Sequence, residues 1–224
     1  MADESEAGVI VVAEPFTELA TLSGVVSVAC LAPGETSDRP LVVGQGLSDD
    51  ERAALGAADP PRAGRRESHK HHPSNTMISL ARRTPDDEFE ADLLIDGRNH
   101  LLADHLTGVH LPGMTLIEAG RQLFLAVTEQ YFLERDTSYF FMLSGLTAQF
   151  HRFTFPIDVR LKYQVLEQAT DGNRSLTFHV RVQVIQAATK TATLEYTFTA
   201  TEAEKVFRQE RRLASRIVER RLAR

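Results

Sequence analysis

A single cysteine, Cys30, among 224 residues rules out a disulfide within the chain and is compatible with a reducing compartment. Long hydrophobic runs are also missing. The longer apolar stretches, residues 8–13 and 24–33, fall far short of the roughly 18 apolar residues of a membrane span. Positive charge is in the minority, and the net charge of −6 gives no general reason to expect nucleic acid or an anionic membrane as partner. The N-terminus carries Asp3, Glu4 and Glu6 where a secretory leader would carry cations. These absences point to a cytoplasmic protein. What is present, 42% apolar and 25% charged residues, is the make-up of a folded globular chain. Its length suits one large domain, or an ordinary domain with a sizeable appendage.

Three zones follow one another. Residues 1–67 are rich in Ala, Gly, Pro and acidic side chains, with short β-compatible runs at 9–12, 25–31 and 41–43. Ser48-Asp49-Asp50-Glu51 has the form of a capping box, in which hydroxyl and carboxylate satisfy free amides at a helix start. The short helix it opens is expected to run through Ala58 and to stop at Pro60-Pro61, where an amide hydrogen is missing. This zone reads as an N-terminal extension, either a small appended subdomain or partly disordered.

The middle zone, 68–201, is the most regular. Residues 76–80 and 89–95 read as short strands around the turn-like Thr84-Pro85-Asp86-Asp87. Pro112-Gly113 then opens one long helix to about Glu134. Its apolar stripe is Leu116, Ile117, Gly120, Phe124, Val127 and Tyr131, with Glu118, Arg121, Gln122 and Glu129 lying off it. Beyond the helix the period falls to 2: residues 157–165, 176–184 and 192–198 alternate apolar and polar, and 139–150 forms a less clean strand. Asp171-Gly172-Asn173 is a strong turn signal between two of these runs. Strict alternation means one buried and one wet face, as in antiparallel sheets. The long helix is the only large apolar partner for that sheet. The expected fold is therefore α+β, an antiparallel sheet wrapped around a long central helix, the hotdog arrangement. Its remaining face and edges call for a second copy, hence a homodimer. The last zone, 202–224, holds eight Lys or Arg against four Glu and reads as a basic helix. It packs on one side, crosses to a partner subunit, or offers an acidic carrier protein a docking patch.

Chemistry concentrates where an irregular loop with His100, His105 and His110 feeds into the long helix. Glu118 falls within the first two turns, where unpaired amides and the helix dipole favour a carboxylate. Arg121 and Gln122 share its face at spacings of three and four. A histidine above a helical carboxylate makes an acid–base pair. The same residues also suit plain structural roles: a dipole-complementing or salt-bridged Glu and a solvated loop His. The histidines with Asp104 and Glu118 form a metal-ligand inventory as well. Without His-x-x-x-His on a helix or paired cysteines, however, neither metal nor cofactor is expected.

The run DHLTGVHLPGMTLIEAGRQ, with SHKHHPSNTMIS upstream, resembles the A-factor biosynthesis hotdog family, whose members repeat Asp-His, Gly-x-His-x-Pro-Gly-Met and Glu-Ala-x-Arg-Gln. It is also distantly similar to the signature of β-hydroxyacyl carrier-protein dehydratases, although the loop between His and Pro-Gly is one residue shorter here. The resemblance implies His105 and Glu118 as catalytic residues. It implies Arg121, Gln122, the second histidine His110 and the turn residues Pro112 and Gly113 as supporting or substrate-binding groups, with Asn75 and His69 as matching upstream positions. It further implies acyl thioesters, linked to acyl carrier protein or coenzyme A, as substrates. Signalling members are thought to pass a β-ketoacyl group to dihydroxyacetone phosphate, starting γ-butyrolactone synthesis. Acyl transfer in specialised metabolism is thus the leading expectation, with β-hydroxyacyl thioester dehydration a close rival, thioester hydrolysis third, and a non-catalytic acyl-binding or regulatory subunit the alternative of another class. Butyrolactone-forming members usually carry two tandem hotdog units, whereas this chain has one recognisable copy. A homodimer would restore the pair, with His105 of one subunit meeting Glu118 of the other.

Overall fold

The computed structural model describes residues 8–31, 40–57, 60–103, 108–171 and 175–223. Three short strands open the chain, β1 (Val9–Val12), β2 (Val25–Ser27) and β3 (Leu41–Val43), pairing in parallel with β1 in the centre. Helix α1 (Asp49–Ala54) begins at the expected capping box: Ser48 Oγ accepts from Glu51 N–H, while Glu51 Oε2 accepts from Ser48 N–H at 2.7 Å. It ends before Ala58, because the chain turns through Leu55 and through Gly56 at φ +69°.

Next come α2 (Arg65–Ser68), β4 (Arg82–Arg83), β5 (Phe89–Asp92), α3 (His100–Ala103) and the long helix α4 (Gly113–Tyr131). Strands β6 (Tyr139–Phe150), β7 (Arg160–Asp171), β8 (Ser175–Gln186) and β9 (Thr189–Glu202) follow, then α5 (Ala203–Leu222). The second sheet is antiparallel in the order β4-β5-β7-β8-β9-β6, which leaves β6 as one edge. The period-2 pattern is realised directly. Phe178, Val180, Val182 and Val184 of β8, and Leu194, Tyr196 and Phe198 of β9, are buried in one core with α4. Irregularities at Leu143/Gly145 in β6 and Val165/Glu167 in β7 add local twist, as bulges do, and help the sheet curl. This is the hotdog fold, α+β, with a long helix cradled by an antiparallel sheet.

Two strand expectations shift. Residues 76–80 make only isolated bridges, Arg62↔Ser79 and Ile78↔Leu93, because the Met77 amide is claimed by the side chain of Gln122 rather than by a strand. The ladder of β5 likewise stops at Asp92: beyond it the buried Gln45 carboxamide bonds Leu93 O at 2.8 Å and Ile95 N at 2.7 Å. The turn expected at 171–173 lies largely outside the described residues.

The first zone packs onto the rest through Val12, Phe16 and Leu19, which share the main core with α4 and the sheet, while Val11, Ala13 and Leu47 form a small core of their own. Helix α4 is buried around most of its circumference and not along one stripe, because the segment from α2 to Met77 packs across its other side. Gln122 and Glu129, expected off the stripe, are 0% and 7% exposed. Helix α5 is different: beyond Ala203 it is largely exposed, including Leu213, Ile217 and Leu222. Among the described residues no helix is long and apolar enough to cross a membrane.

Candidate functional site

Helix α4 starts where proline fixes the backbone and glycine permits close approach. Pro112 stands at the N-cap with φ −59°, and its carbonyl accepts from Thr115 N–H at 3.0 Å. A Cβ on Gly113 would lie 2.8 Å from the tip of the half-exposed Phe150 ring of β6, so a larger residue there would push that ring away from the first turn. The preceding segment is pinned by Leu111 N–H donating to Thr154 O at 2.8 Å. His110 packs its ring 4.7 Å from Phe153.

One turn further on, Glu118 is held on three sides. Arg121 donates to both carboxylate oxygens, Nε to Oε2 at 2.8 Å and an Nη to Oε1 at 3.1 Å. Lys70 Nζ lies 2.6 Å from Oε1, and Gln122 Nε2 donates to the same oxygen at 3.1 Å. Burial pushes this carboxyl up, but the hydrogen bonds and charge of Arg121, joined by Lys70 and Gln122, outweigh it and hold Glu118 below the usual carboxylate range. It is an anion at neutral pH. No imidazole hydrogen-bonds to it among the described residues; Asp104 and His105 lie outside them, so the expected His105–Glu118 pair has no geometry here.

Gln122 ties the site to the upstream strand-like segment. Its Oε1 accepts from Met77 N–H at 2.9 Å, and its Nε2 donates to Asn75 O at 2.9 Å as well as to Glu118. Asn75 therefore enters the site through its backbone. Its side chain serves the start of α3, where Oδ1 accepts from His100 N–H at 3.2 Å. Helix α3 leads directly into the segment carrying His105.

Beneath α4, Gly120 allows sheet and helix to close: a Cβ there would collide with Tyr196 Oη and with Leu194. Tyr196 Oη donates to Ile117 O at 2.8 Å. Burial, reinforced by the nearby negative charge of Glu118, drives this phenol far up, so it remains a donor.

A second carboxylate, Glu129, lies about 16 Å farther along α4 at 1.5 Å per residue. His69 Nε2 approaches its Oε1 at 3.1 Å and Arg66 Nε donates to its Oε2 at 3.3 Å. His69 ends α2 in the left-handed region (φ 55°), and that reversal sends His69 to Glu129 and Lys70 to Glu118. Sequence reasoning matched His69 by resemblance only and missed Lys70, Arg66 and Glu129 as partners. The dense Arg65–His72 run was the available signal. Among the described residues no group of His, Cys, Asp and Glu is placed to hold a metal ion.

Residues 56–202 match the family model of the A-factor biosynthesis hotdog domain. No curated protein matches. Among solved structures, a putative thioesterase, described as phenylacetic acid degradation-related, from Ralstonia eutropha JMP134 is 17% identical over 54% of this chain and 83% of its own (TM-score 0.40). A mutant thioesterase from Pseudomonas aeruginosa is 13% identical over 56% and 81% (TM-score 0.43). A Bacillus halodurans protein solved with coenzyme A is 16% identical over 55% and 74% (TM-score 0.39). The family match spans well over half the sequence and contains both the long helix with Glu118 and the whole antiparallel sheet: the chain belongs to the A-factor biosynthesis hotdog family.

Proposed function

We propose that the protein is an enzyme acting on acyl thioesters carried by acyl carrier protein or coenzyme A, transferring the acyl group to a hydroxyl acceptor as in γ-butyrolactone-type biosynthesis. The observation that carries this reading is Glu118, a largely buried carboxylate kept ionised at the start of the central helix by Arg121, Lys70 and Gln122. An ionised carboxylate orients a base or accepts a proton; it is badly placed to donate one. Transfer needs the first capacity, because the acceptor hydroxyl must lose its proton as its oxygen bonds the thioester carbon. Dehydration needs a donor for the departing hydroxyl. In the proposed step His105, paired with Glu118, takes the hydroxyl proton, and free amides near Gly113 stabilise the tetrahedral oxyanion. The carbon–sulfur bond then breaks and the thiolate recovers the proton. His110, Arg121, Gln122 and Asn75 support the site and its substrate.

The test is incubation with a β-ketoacyl thioester plus dihydroxyacetone phosphate, read by mass. The expected products are free thiol and the acyl ester of the acceptor. Free acid alone would instead mark hydrolysis, and loss of water from a β-hydroxyacyl thioester supplied by itself would mark dehydration; either result without ester overturns the transfer reading.

A homodimer belongs to the same proposal. Edge strand β6 exposes Met142, Leu143, Leu146 and Phe150, a long apolar edge of the kind that monomers blunt with charge. In the proposed arrangement a second copy covers this edge, and His105 of one subunit meets Glu118 of the other. Leu146→Lys is expected to convert a particle of twice the 24.9 kDa chain mass into a monomer in analytical ultracentrifugation, with loss of activity. A wild-type monomer, or a Leu146→Lys dimer, sinks that arrangement.

A further inference from the structure

We propose that the cleft beside the C-terminal half of α4 is a binding site for the phosphate group of a phosphate ester. The cleft has a volume of about 810 Å³, the size of a small-molecule site, and is walled by two chain segments far apart in sequence. Arg65, Arg66 and Lys70 come from α2 and the residues after it, and Arg135 comes from the turn between α4 and β6. Four permanent cations thus converge where only two carboxylates, Glu129 and Asp136, line the wall, in a chain whose net charge is −6.

That concentration is not used up by internal pairing. Arg66 bonds Glu129 and Lys70 bonds Glu118. Arg65 has no carboxylate partner among the described residues: an Nη sits 2.8 Å from His71 Nδ1, which aims the guanidinium without neutralising it. Arg135 makes no hydrogen bond or ion pair among the described residues. Both guanidinium forks line the same cleft, and a dianionic phosphate held there would accept charge-assisted, bidentate bonds from them. The site is distinct from the Glu118 carboxylate, although Lys70 lines the cleft and also touches Glu118, so an occupant would sit next to it.

The shared chemistry is a phosphate monoester, supplied either by a small phosphorylated alcohol or by the nucleotide end of a coenzyme A-type molecule. Calorimetric titrations of the full chain with glycerol 3-phosphate and with adenosine 3′,5′-bisphosphate separate these sources, with glycerol as the uncharged control. At least one phosphate probe is expected to bind. Arg135→Gln, which removes no internal bond, is expected to weaken that binding about tenfold, as for loss of one charge-assisted contact. Arg65→Gln should act similarly at an unchanged melting temperature. Arg212→Gln, nine residues beyond the start of α5 on its exposed part, should change nothing. Absence of binding by both probes overturns the proposal, and so does equal weakening by Arg212→Gln, which marks nonspecific charge attraction. Because the readout is binding, phosphate capture without turnover would fault only the acyl-transfer reading, and ester formation without phosphate binding would fault only this one.

Discussion

Replacing Glu118 by glutamine is expected to lower turnover of an acyl thioester by about 10²–10⁴-fold, the usual range for losing general acid–base assistance. The amide is nearly isosteric and its one oxygen can still accept from Lys70 and one Arg121 nitrogen, so the fold should persist while the negative charge and the second acceptor disappear. Single-turnover product formation by mass is the measurement, and a variant within about threefold of wild type would remove Glu118 from the chemistry. The same substitution carries a pH signature. The folded-state carboxyl lies below its usual value, so its contribution to stability is fully present above the unfolded-state value, about 4.3, and is lost as pH falls through the lowered folded value. The stability gap between wild type and Glu118→Gln should therefore be constant from neutral pH down to about pH 5 and shrink below that. A gap that widens on acidification would mean that the cations do not hold this carboxylate as described.

Gln122→Leu is expected to cost about 2–4 kcal/mol of folding stability, read from urea unfolding midpoints. The side chain is fully buried and makes three bonds, to Met77 N–H, Asn75 O and Glu118. Leucine fills a similar volume but leaves a buried amide and a carbonyl without partners, each a penalty of about 1–3 kcal/mol when water cannot replace the bond. The effect should be local as well as global: hydrogen exchange at the Met77 amide should accelerate more than exchange in β8. A loss below about 0.5 kcal/mol would show that segment 75–78 is held by its bridges to Leu93 and Arg62 and not by Gln122.

These two residues illustrate how far the sequence could be read. The alternating runs of β8 and β9 and the long apolar helix are short-range signals, repeated every second residue or every three to four, so they survive without knowledge of neighbours. The capping box at Ser48 and the Pro112-Gly113 helix start are equally local, each depending on a few adjacent residues. Glu118 with Arg121 was legible for the same reason, because one helix turn brings them together. Lys70 was not: its approach to Glu118 depends on the left-handed turn at His69, and no periodicity announces such a reversal. The burial of Glu129 and Gln122, which lie off the apolar stripe of α4, was not legible, because a stripe on one helix says nothing about a second layer covering it.

The amino-acid sequence by itself determined the long helix, the long strands, their order and the identity of the chemically able side chains, since hydrophobic period, capping chemistry and turn residues act over a few bonds. Only the tertiary structure decided which charges meet. Packing of the upstream segment across α4 surrounds Glu118 with Lys70, Arg121 and Gln122, and gathers Arg65 and Arg135 around one cleft. Those neighbours come from segments tens of residues apart, and their electrostatic effect depends on distance and burial, quantities set by the folded chain as a whole.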